Sequence, residues 1–152
     1  MYLNAISFYR LARFFHERKV PVLPRIFEFL IFLIFNCSIP VDCEIGAGTI
    51  CEHRGIGVVI SYQARIGQNC LIKPRVLIGE GGPVPGAPVI GDRVDIGVGA
   101  SIIGGITVGD EARIGTNAVV LTDVPPRATA VGVPARIIIK NNRSDTPAPA
   151  SE

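Results

Sequence analysis

Residues 89–121 read VIGDRVDIGVGASIIGGITVGDEARIGTNAVVL and carry an aliphatic residue at every sixth position. The series continues back to residue 60, and all eleven of its positions hold isoleucine or valine: Ile60, Ile66, Ile72, Ile78, Val84, Ile90, Ile96, Ile102, Val108, Ile114 and Val120. Glycine follows six of them, at corners where a β-carbon would clash or a positive φ is needed. A period of six is typical of a parallel β-solenoid. The sequence therefore predicts an all-β solenoid, a three-faced prism from residue 39 to about residue 123.

Two stretches interrupt this repeat. The interval from Cys51 to Ile60 is nine positions rather than six, so three extra residues fall within residues 52–57, which read EHRGIG. Residues 79–89 contain four glycines and three prolines. They predict a protruding loop in which Val84 keeps the phase by accident, and the alternative is a continuous coil with unusual corners. We expect the solenoid over 38–124, a C-terminal segment over 125–140, and a mobile tail over 141–152.

Residues 1–37 form a short N-terminal segment without the repeat. Helical spacing of apolar residues predicts a helix over 2–20, ended by prolines, and a second short helix over 25–35. Residues 1–25 hold five basic side chains and one acidic, in a chain of net charge +2. The segment either caps the open end of the prism and contacts other subunits, or binds an anionic membrane surface peripherally. The two roles can coexist.

The composition excludes several classes of protein. Because 48% of the residues are hydrophobic and 18% are charged, the chain is not disordered, despite 17 glycines and 12 prolines. A net charge of +2 is too small for a dedicated nucleic-acid binder. The apolar run over 26–35 is shorter than the roughly 20 residues that span a bilayer, and no cleavable signal is evident. We therefore expect a cytoplasmic protein.

The cysteines and histidines carry the candidate chemistry. No C-x-x-C pair occurs, so we expect no metal site. We expect the four cysteines to be small buried residues of a reduced protein: Cys37, Cys43, Cys51 and Cys70. Imidazole is the suitable base near neutral pH. His16 stands among charged neighbours in the first predicted helix. His53 stands in the three-residue insertion, where its backbone can bulge from the prism, and it is the candidate base.

Three stretches taken together resemble a known family. They are EHRGIGVV over 52–59, the glycine-rich loop over 77–87, and VVLTDVPP over 119–126 followed by GVPARI over 132–137. The chain resembles the serine O-acetyltransferase-like branch of the hexapeptide-repeat acetyltransferases, which are left-handed parallel β-helices. It looks most similar to the short colanic-acid type of polysaccharide biosynthesis. The hexapeptide repeat alone would indicate only the fold.

The resemblance implies a homotrimer that binds acetyl-CoA as co-substrate in the groove between adjacent prisms, with no metal. The acetyl group passes directly to an acceptor hydroxyl that a histidine deprotonates, and His53 matches that histidine. Glu52 matches an acidic acceptor-binding residue. The expected acetyl-CoA-binding residues are glycines near the thioester, small residues along the pantetheine arm and an arginine at a CoA phosphate: Gly79, Gly81, Ala100, Ala118 and Arg136.

The sequence departs from the serine enzymes at residues that concern the acceptor. Ser38 stands where they have an acid that orients the histidine, and Ala87 stands where they have a second active-site histidine. The chain ends in Ser151 and Glu152 rather than isoleucine, so no cysteine synthase complex is expected. We therefore predict a sugar hydroxyl in polysaccharide biosynthesis as acceptor. The alternatives are a serine O-acetyltransferase that makes O-acetylserine for cysteine biosynthesis, and a non-catalytic trimeric scaffold.

Overall fold

The computed structural model describes residues 4–139, which form two helices followed by a parallel β-solenoid. Helix α1 spans Ala5–Glu17 and α2 spans Leu23–Phe35. A single 3-10 turn, Glu52–Gly55, interrupts the first coil. The strands are short, and they are β1 (Glu44–Ile45), β2 (Ile50–Cys51), β3 (Val59–Ile60), β4 (Arg65–Ile66), β5 (Leu71–Ile72), β6 (Leu77–Gly79), β7 (Val89–Ile90), β8 (Asp95–Ile96), β9 (Ser101–Ile103), β10 (Thr107–Val108), β11 (Arg113–Ile114), β12 (Val119–Val120), β13 (Thr129–Val131) and β14 (Arg136–Ile138).

The strands stack into three faces. Face 1 has the order β1-β4-β7-β10, face 2 the order β2-β5-β8-β11-β13-β14, and face 3 the order β3-β6-β9-β12. All pairs are parallel except β13 with β14. The chain turns from face 2 to face 3 at residues 52–57, 73–76, 97–100 and 115–118, which we call the His53 edge. It turns from face 3 to face 1 at residues 61–64, 80–88, 104–106 and 121–123, which we call the loop edge. The predicted solenoid with a helical N-terminus is confirmed.

The strand register explains the two interruptions of the repeat. Ile102 pairs with Val120, so an ordinary coil consists of three hexapeptides. The interval from Cys51 to its partner Ile72 is longer than this, because the first coil contains the three-residue insertion. The interval from Ile78 to its partner Ile102 is four hexapeptides, because one whole hexapeptide leaves the prism between β6 and β7. An insertion of one full period preserves the phase, and this is why Val84 stays in the series although it is 42% exposed.

The solenoid core contains the other ten aliphatic positions and a second set of buried residues two positions before them, and buried residues of both helices pack against it. None of these ten side chains is more than 4% exposed. Five of the six glycines that follow them, all except Gly79, are required by close approach of neighbouring coils and not by positive φ. A β-carbon on Gly97, for example, would lie 2.6 Å from the amide nitrogen of Thr116. The left-handed conformation falls two residues after the corner glycine, for example at Asn69 and Asn117.

The N-terminal helices cover the open end of the first coil. The Tyr9 hydroxyl donates to the Cys43 carbonyl at 2.5 Å, and Arg13 donates to the Val41 carbonyl at 2.9 Å. Helix α1 is shorter than predicted because Lys19 has a left-handed φ of 57°, and residues 1–3 lie outside the described part. Helix α2 begins two residues earlier than predicted, since proline is tolerated in a first turn. No helix within residues 4–139 is long and apolar enough to cross a membrane.

All four cysteines are free and buried, as predicted. Burial raises the pKa of the Cys43 and Cys51 thiols to about 12 and that of Cys37 to about 11. These thiols are therefore protonated and unreactive near neutral pH.

Strand pairing continues beyond residue 124, where the six-residue phase ends. Val124 bridges Val108, and Ala130 in β13 pairs with Ile114. Each of these intervals is two positions shorter than the three hexapeptides of an ordinary coil, so the last coil shifts the phase. Strand β14 then folds back against β13. The tail predicted over 141–152 lies outside the described residues.

Candidate active site

His53 lies in the three-residue insertion, and its backbone is left-handed with φ 48° and ψ 40°. Arg54 is also left-handed, with φ 67°, and Gly55 follows with φ 90°. Consecutive left-handed residues are costly unless the surroundings impose them, and such strain is found at functional sites. The turn presents the His53 side chain to solvent. Within residues 4–139 the imidazole makes no hydrogen bond, so both ring nitrogens are free for a substrate.

The N-terminal helix α1 packs against this turn. Gly55 is buried against α1, and a β-carbon there would lie 3.2 Å from the β-carbon of Ala5. The side chain of Asn4 caps α1 by accepting from the Ile6 amide at 3.1 Å. The same side chain donates to the Cys51 carbonyl at 2.6 Å, immediately before the turn begins. Helix α1 therefore helps to set the position of His53, a role for Asn4 that sequence reasoning missed.

Two further backbone hydrogen bonds stabilise the insertion. The Gly57 amide donates to the carbonyl of Asn36, the residue after α2, at 3.0 Å. The Ile56 carbonyl accepts from the Arg75 amide at 2.9 Å, which joins the turn to the next coil. The insertion is thus held on both sides, and only its middle residues protrude.

The other predicted acceptor-side residues lie near this turn in the chain but do not hydrogen bond to His53. Glu52 opens the turn and is half-buried. Ser38 is exposed beside β3, at the end of face 3 nearest the helices. Its amide donates to the Val58 carbonyl, and its carbonyl accepts from the Ile60 amide. Its hydroxyl makes no hydrogen bond within the described residues. His16 lies elsewhere, 3.7 Å from Asp42.

Ala100 and Ala118 lie on the same edge of the prism as His53, two and three coils further along. Both residues are completely buried, backbone included. Their amides donate within their own corners, and their carbonyls accept from Leu77 at 2.9 Å and Ser101 at 2.8 Å.

Gly79 and Gly81 lie at the loop edge, on the opposite side of face 3 from His53. Gly79 ends β6, and Gly81 has φ 89° with open space around the position of a β-carbon. One chain alone does not bring these glycines to His53. Arg136 is exposed on β14, at the far end of face 2. Within residues 4–139 no group of three histidine, cysteine or acidic side chains is arranged to hold a metal.

Comparison with known proteins identifies the family. No protein-family model matches the chain. A serine acetyltransferase of Bacillus pumilus is 36% identical to this chain. The alignment covers 99% of this chain and 73% of that relative. The chain belongs to the serine acetyltransferase family. A serine acetyltransferase of Synechococcus elongatus is 35% identical over 91% of this chain, and the chain spans 57% of that relative.

Solved structures of the family have the same fold. Soybean serine acetyltransferase complexed with serine superimposes with a TM-score of 0.80 at 40% identity, covering 88% of this chain and 56% of that one. A serine acetyltransferase complex with CoA superimposes with a TM-score of 0.79 at 36% identity, covering 88% and 55%. The predicted left-handed parallel β-helix is confirmed. The closer likeness to the colanic-acid type stays a prediction.

Sequence reasoning also missed Arg75, which lies beside the candidate site of this member of the serine acetyltransferase family. The side chain lies above Gly57, whose β-carbon would be 3.0 Å from Cγ of Arg75. The length of one coil could have indicated from the sequence that Arg75 lies next to this turn. Because three hexapeptides separate equivalent positions after the insertion, Gly57 stacks on residue 75.

Proposed function

We propose that this protein is an acetyl-CoA-dependent O-acetyltransferase in which His53 is the general base. The observation that carries the proposal is the exposed, unpaired imidazole of His53 on the edge that also holds Ala100 and Ala118. The imidazole takes the proton of an acceptor hydroxyl, whose oxygen attacks the thioester carbonyl. Collapse of the tetrahedral adduct breaks the carbon–sulfur bond, and the imidazolium returns the proton to the CoA thiolate. An acetyl ester and free CoA result.

The proposed acetyl-CoA site follows the length of the prism. The pantetheine arm follows the edge at the small corner residues Ala100 and Ala118, and the guanidinium of Arg136 binds a CoA phosphate. A backbone N–H near Gly79 or Gly81 stabilises the oxyanion of the adduct. A solved relative that is named as a complex with CoA supports this co-substrate.

The acceptor has two candidates. The names of the relatives, and the soybean structure complexed with serine, favour L-serine. The absence of an orienting acid at Ser38 and of a second histidine at Ala87 favours a sugar hydroxyl, because these positions differ from the serine enzymes. Of the two, the comparisons support serine more directly. Glu52, half-buried beside His53, is proposed to hold an acceptor hydroxyl or ammonium group.

A homotrimer accounts for the separation of the site residues. In one chain His53 and Gly79 lie on opposite sides of face 3. Packing the loop edge of one prism against the His53 edge of the next would bring them together. Sedimentation velocity at several concentrations tests this, and a stable monomer with full activity would contradict it. No metal, nucleic acid or cysteine synthase partner belongs to the proposal.

Helix α2 carries the proposed contact of the N-terminal segment. Phe29 is 62% exposed and Leu33 is 65% exposed, and they belong to a larger apolar surface with Val22, Ile26, Phe32 and Ile34. The basic residues Arg18, Lys19 and Arg25 are neighbours of these residues in the sequence. This surface suits another subunit or an anionic membrane, at which a cytoplasmic enzyme would be peripheral. Co-sedimentation with anionic vesicles, lost in Phe29→Ser, would support the membrane.

The activity is tested by thiol release from acetyl-CoA with L-serine, then with sugars and nucleotide sugars. Release with serine alone would make the protein a serine acetyltransferase, and release with a sugar alone would place it in polysaccharide modification. His53→Gln removes the proposed base and is the variant to compare with the wild-type protein. Binding of acetyl-CoA without turnover on any acceptor would refute the enzymatic proposal in favour of the scaffold.

A further inference from the structure

The His53 edge carries two exposed arginines, Arg54 and Arg75. Within residues 4–139 neither guanidinium has a carboxylate partner or a side-chain hydrogen bond. Lys73, the third cation of this edge, is neutralised by Asp95 at 2.7 Å. Glu52 is the one carboxylate of the edge itself. The free charged side chains around His53 are therefore two guanidiniums and one carboxylate, and the edge has an excess of positive charge.

Backbone geometry holds both arginines close to His53. Arg54 directly follows His53 in the protruding turn. Arg75 lies in the next coil, where its amide donates to the Ile56 carbonyl at 2.9 Å and its side chain begins against Gly57. Both side chains therefore start from the same part of the edge as the imidazole, one beside it and one above it.

Position 75 differs in residue type from the equivalent positions of its own edge. The equivalent positions of the other coils, Gly57, Gly99 and Asn117, have φ of 70°, 68° and 55° and hold residue types that adopt left-handed backbone readily. Arg75 has φ 59° without that advantage. Arg93 and Arg127 have the same left-handed backbone at corners between faces 1 and 2, so the case for Arg75 rests on its unpaired guanidinium in the coil next to His53. The guanidinium fork matches carboxylate and phosphate oxygens.

We propose that Arg54 and Arg75 form a subsite for an oxyanion on the acceptor, a carboxylate or a phosphate, and thereby place the acceptor hydroxyl beside His53. The role of the bound molecule as acceptor rests on the proposed function, but the binding of the anion does not. A neutral sugar would leave both guanidiniums without a partner.

The binding test uses the two histidines of the chain as probes. The imidazole Cε1–H signals are followed by NMR in the full chain, with His16→Gln assigning them. D-glucose 1-phosphate and L-serine are each titrated into the protein. Uncharged D-glucose is the control for the phosphate, and cationic ethanolamine is the control for the carboxylate of serine. We expect a saturable shift of the His53 signal with at least one anion and none with its control. The anion that shifts it identifies phosphate or carboxylate as the ligand.

Variants separate this subsite from general attraction of anions. Arg54→Gln and Arg75→Gln should each weaken anion binding by about tenfold, the usual effect of losing one charge-assisted contact. The matched control is Arg127→Gln. Arg127 is an exposed corner arginine with φ 60° whose amide also donates to the previous coil, at 2.8 Å, but it lies between faces 1 and 2.

Two outcomes overturn the proposal: no shift of the His53 signal with either anion, or equal weakening by Arg127→Gln and Arg75→Gln. Failure of the proposed function looks different. In that case the anion still binds in an Arg75-dependent way, while no acceptor supports thiol release from acetyl-CoA.

Discussion

Asn4 is the residue through which the N-terminal helix acts on the candidate base, and its replacement tests that link. Its side chain accepts from the Ile6 amide and donates to the Cys51 carbonyl, one residue before the turn that carries His53. Asn4→Ala removes both bonds. Asn4→Asp keeps the helix cap, because a carboxylate also accepts from an amide, but it cannot donate to Cys51. Comparing the two variants separates stability of the helix from placement of the base.

The expected size of the effect follows from the two bonds. Loss of an N-cap costs about 1 kcal/mol, and loss of a partly buried hydrogen bond costs about 1 kcal/mol more. Asn4→Ala should therefore lose about 2 kcal/mol, which for a chain of this size lowers Tm by about 4–8 °C. Asn4→Asp should lose about half of that. Both should reduce kcat, because the carbonyl that anchors the His53 turn is free in each.

The assay combines thermal unfolding followed by circular dichroism with kcat for thiol release from acetyl-CoA, measured well below Tm. Gln68→Ala is the control, since it removes a side-chain amide from an exposed corner that is not on the His53 edge. Wild-type Tm and kcat in both Asn4 variants would refute the reasoning. Loss of kcat in Asn4→Ala alone would show that only the helix cap matters.

Four further outcomes are expected. His53→Ala should lower turnover at least a hundredfold with unchanged Tm, because the side chain is exposed and unbonded; near-normal turnover would remove its role as base. Arg136→Gln should raise KM for acetyl-CoA with little change in kcat, and an unchanged KM would place the CoA phosphates elsewhere. Gly97→Ala should lose about 1–3 kcal/mol, because its β-carbon would meet the backbone of the next coil at 2.6 Å, whereas Gly79→Ala, with 3.4 Å to a leucine methyl, should fold normally; equal Tm values would contradict this. Since burial raises the pKa of three of the four cysteine thiols to about 11 or 12, these thiols should resist Ellman's reagent in the folded protein at pH 8 and react on unfolding, and stability should fall above about pH 9, where only the unfolded chain loses these protons.

The fold could be predicted because its cause is local and repeated. Each hexapeptide makes one face and one corner, so an inward-pointing residue such as Ile96 recurs at a fixed interval. The insertions could be located for the same reason, since the three residues around His53 break the interval. The shortened last coil could not be predicted in this way. Its two missing residues shift Val124 and Ala130 out of phase although they remain buried.

The candidate site was only partly predictable. His53 stood out because it interrupts a regular pattern, and Arg136 because of the segment that resembles the family. Arg75 belongs to a different coil from His53, and its proximity depends on which coils stack. Asn4 is further still along the chain, and its bond to Cys51 exists because α1 docks on the open end of the prism.

The sequence by itself determined the period of the solenoid, the positions of its insertions and the identity of the candidate base. These are properties of one stretch of chain and of the geometry that each hexapeptide repeats. Only the tertiary structure decided that Ala100, Ala118 and Arg75 share an edge with His53 while Gly79 and Gly81 lie across face 3. The physical reason is that side chains from separate coils meet according to coil length and helix docking, which the pattern of any single segment does not contain.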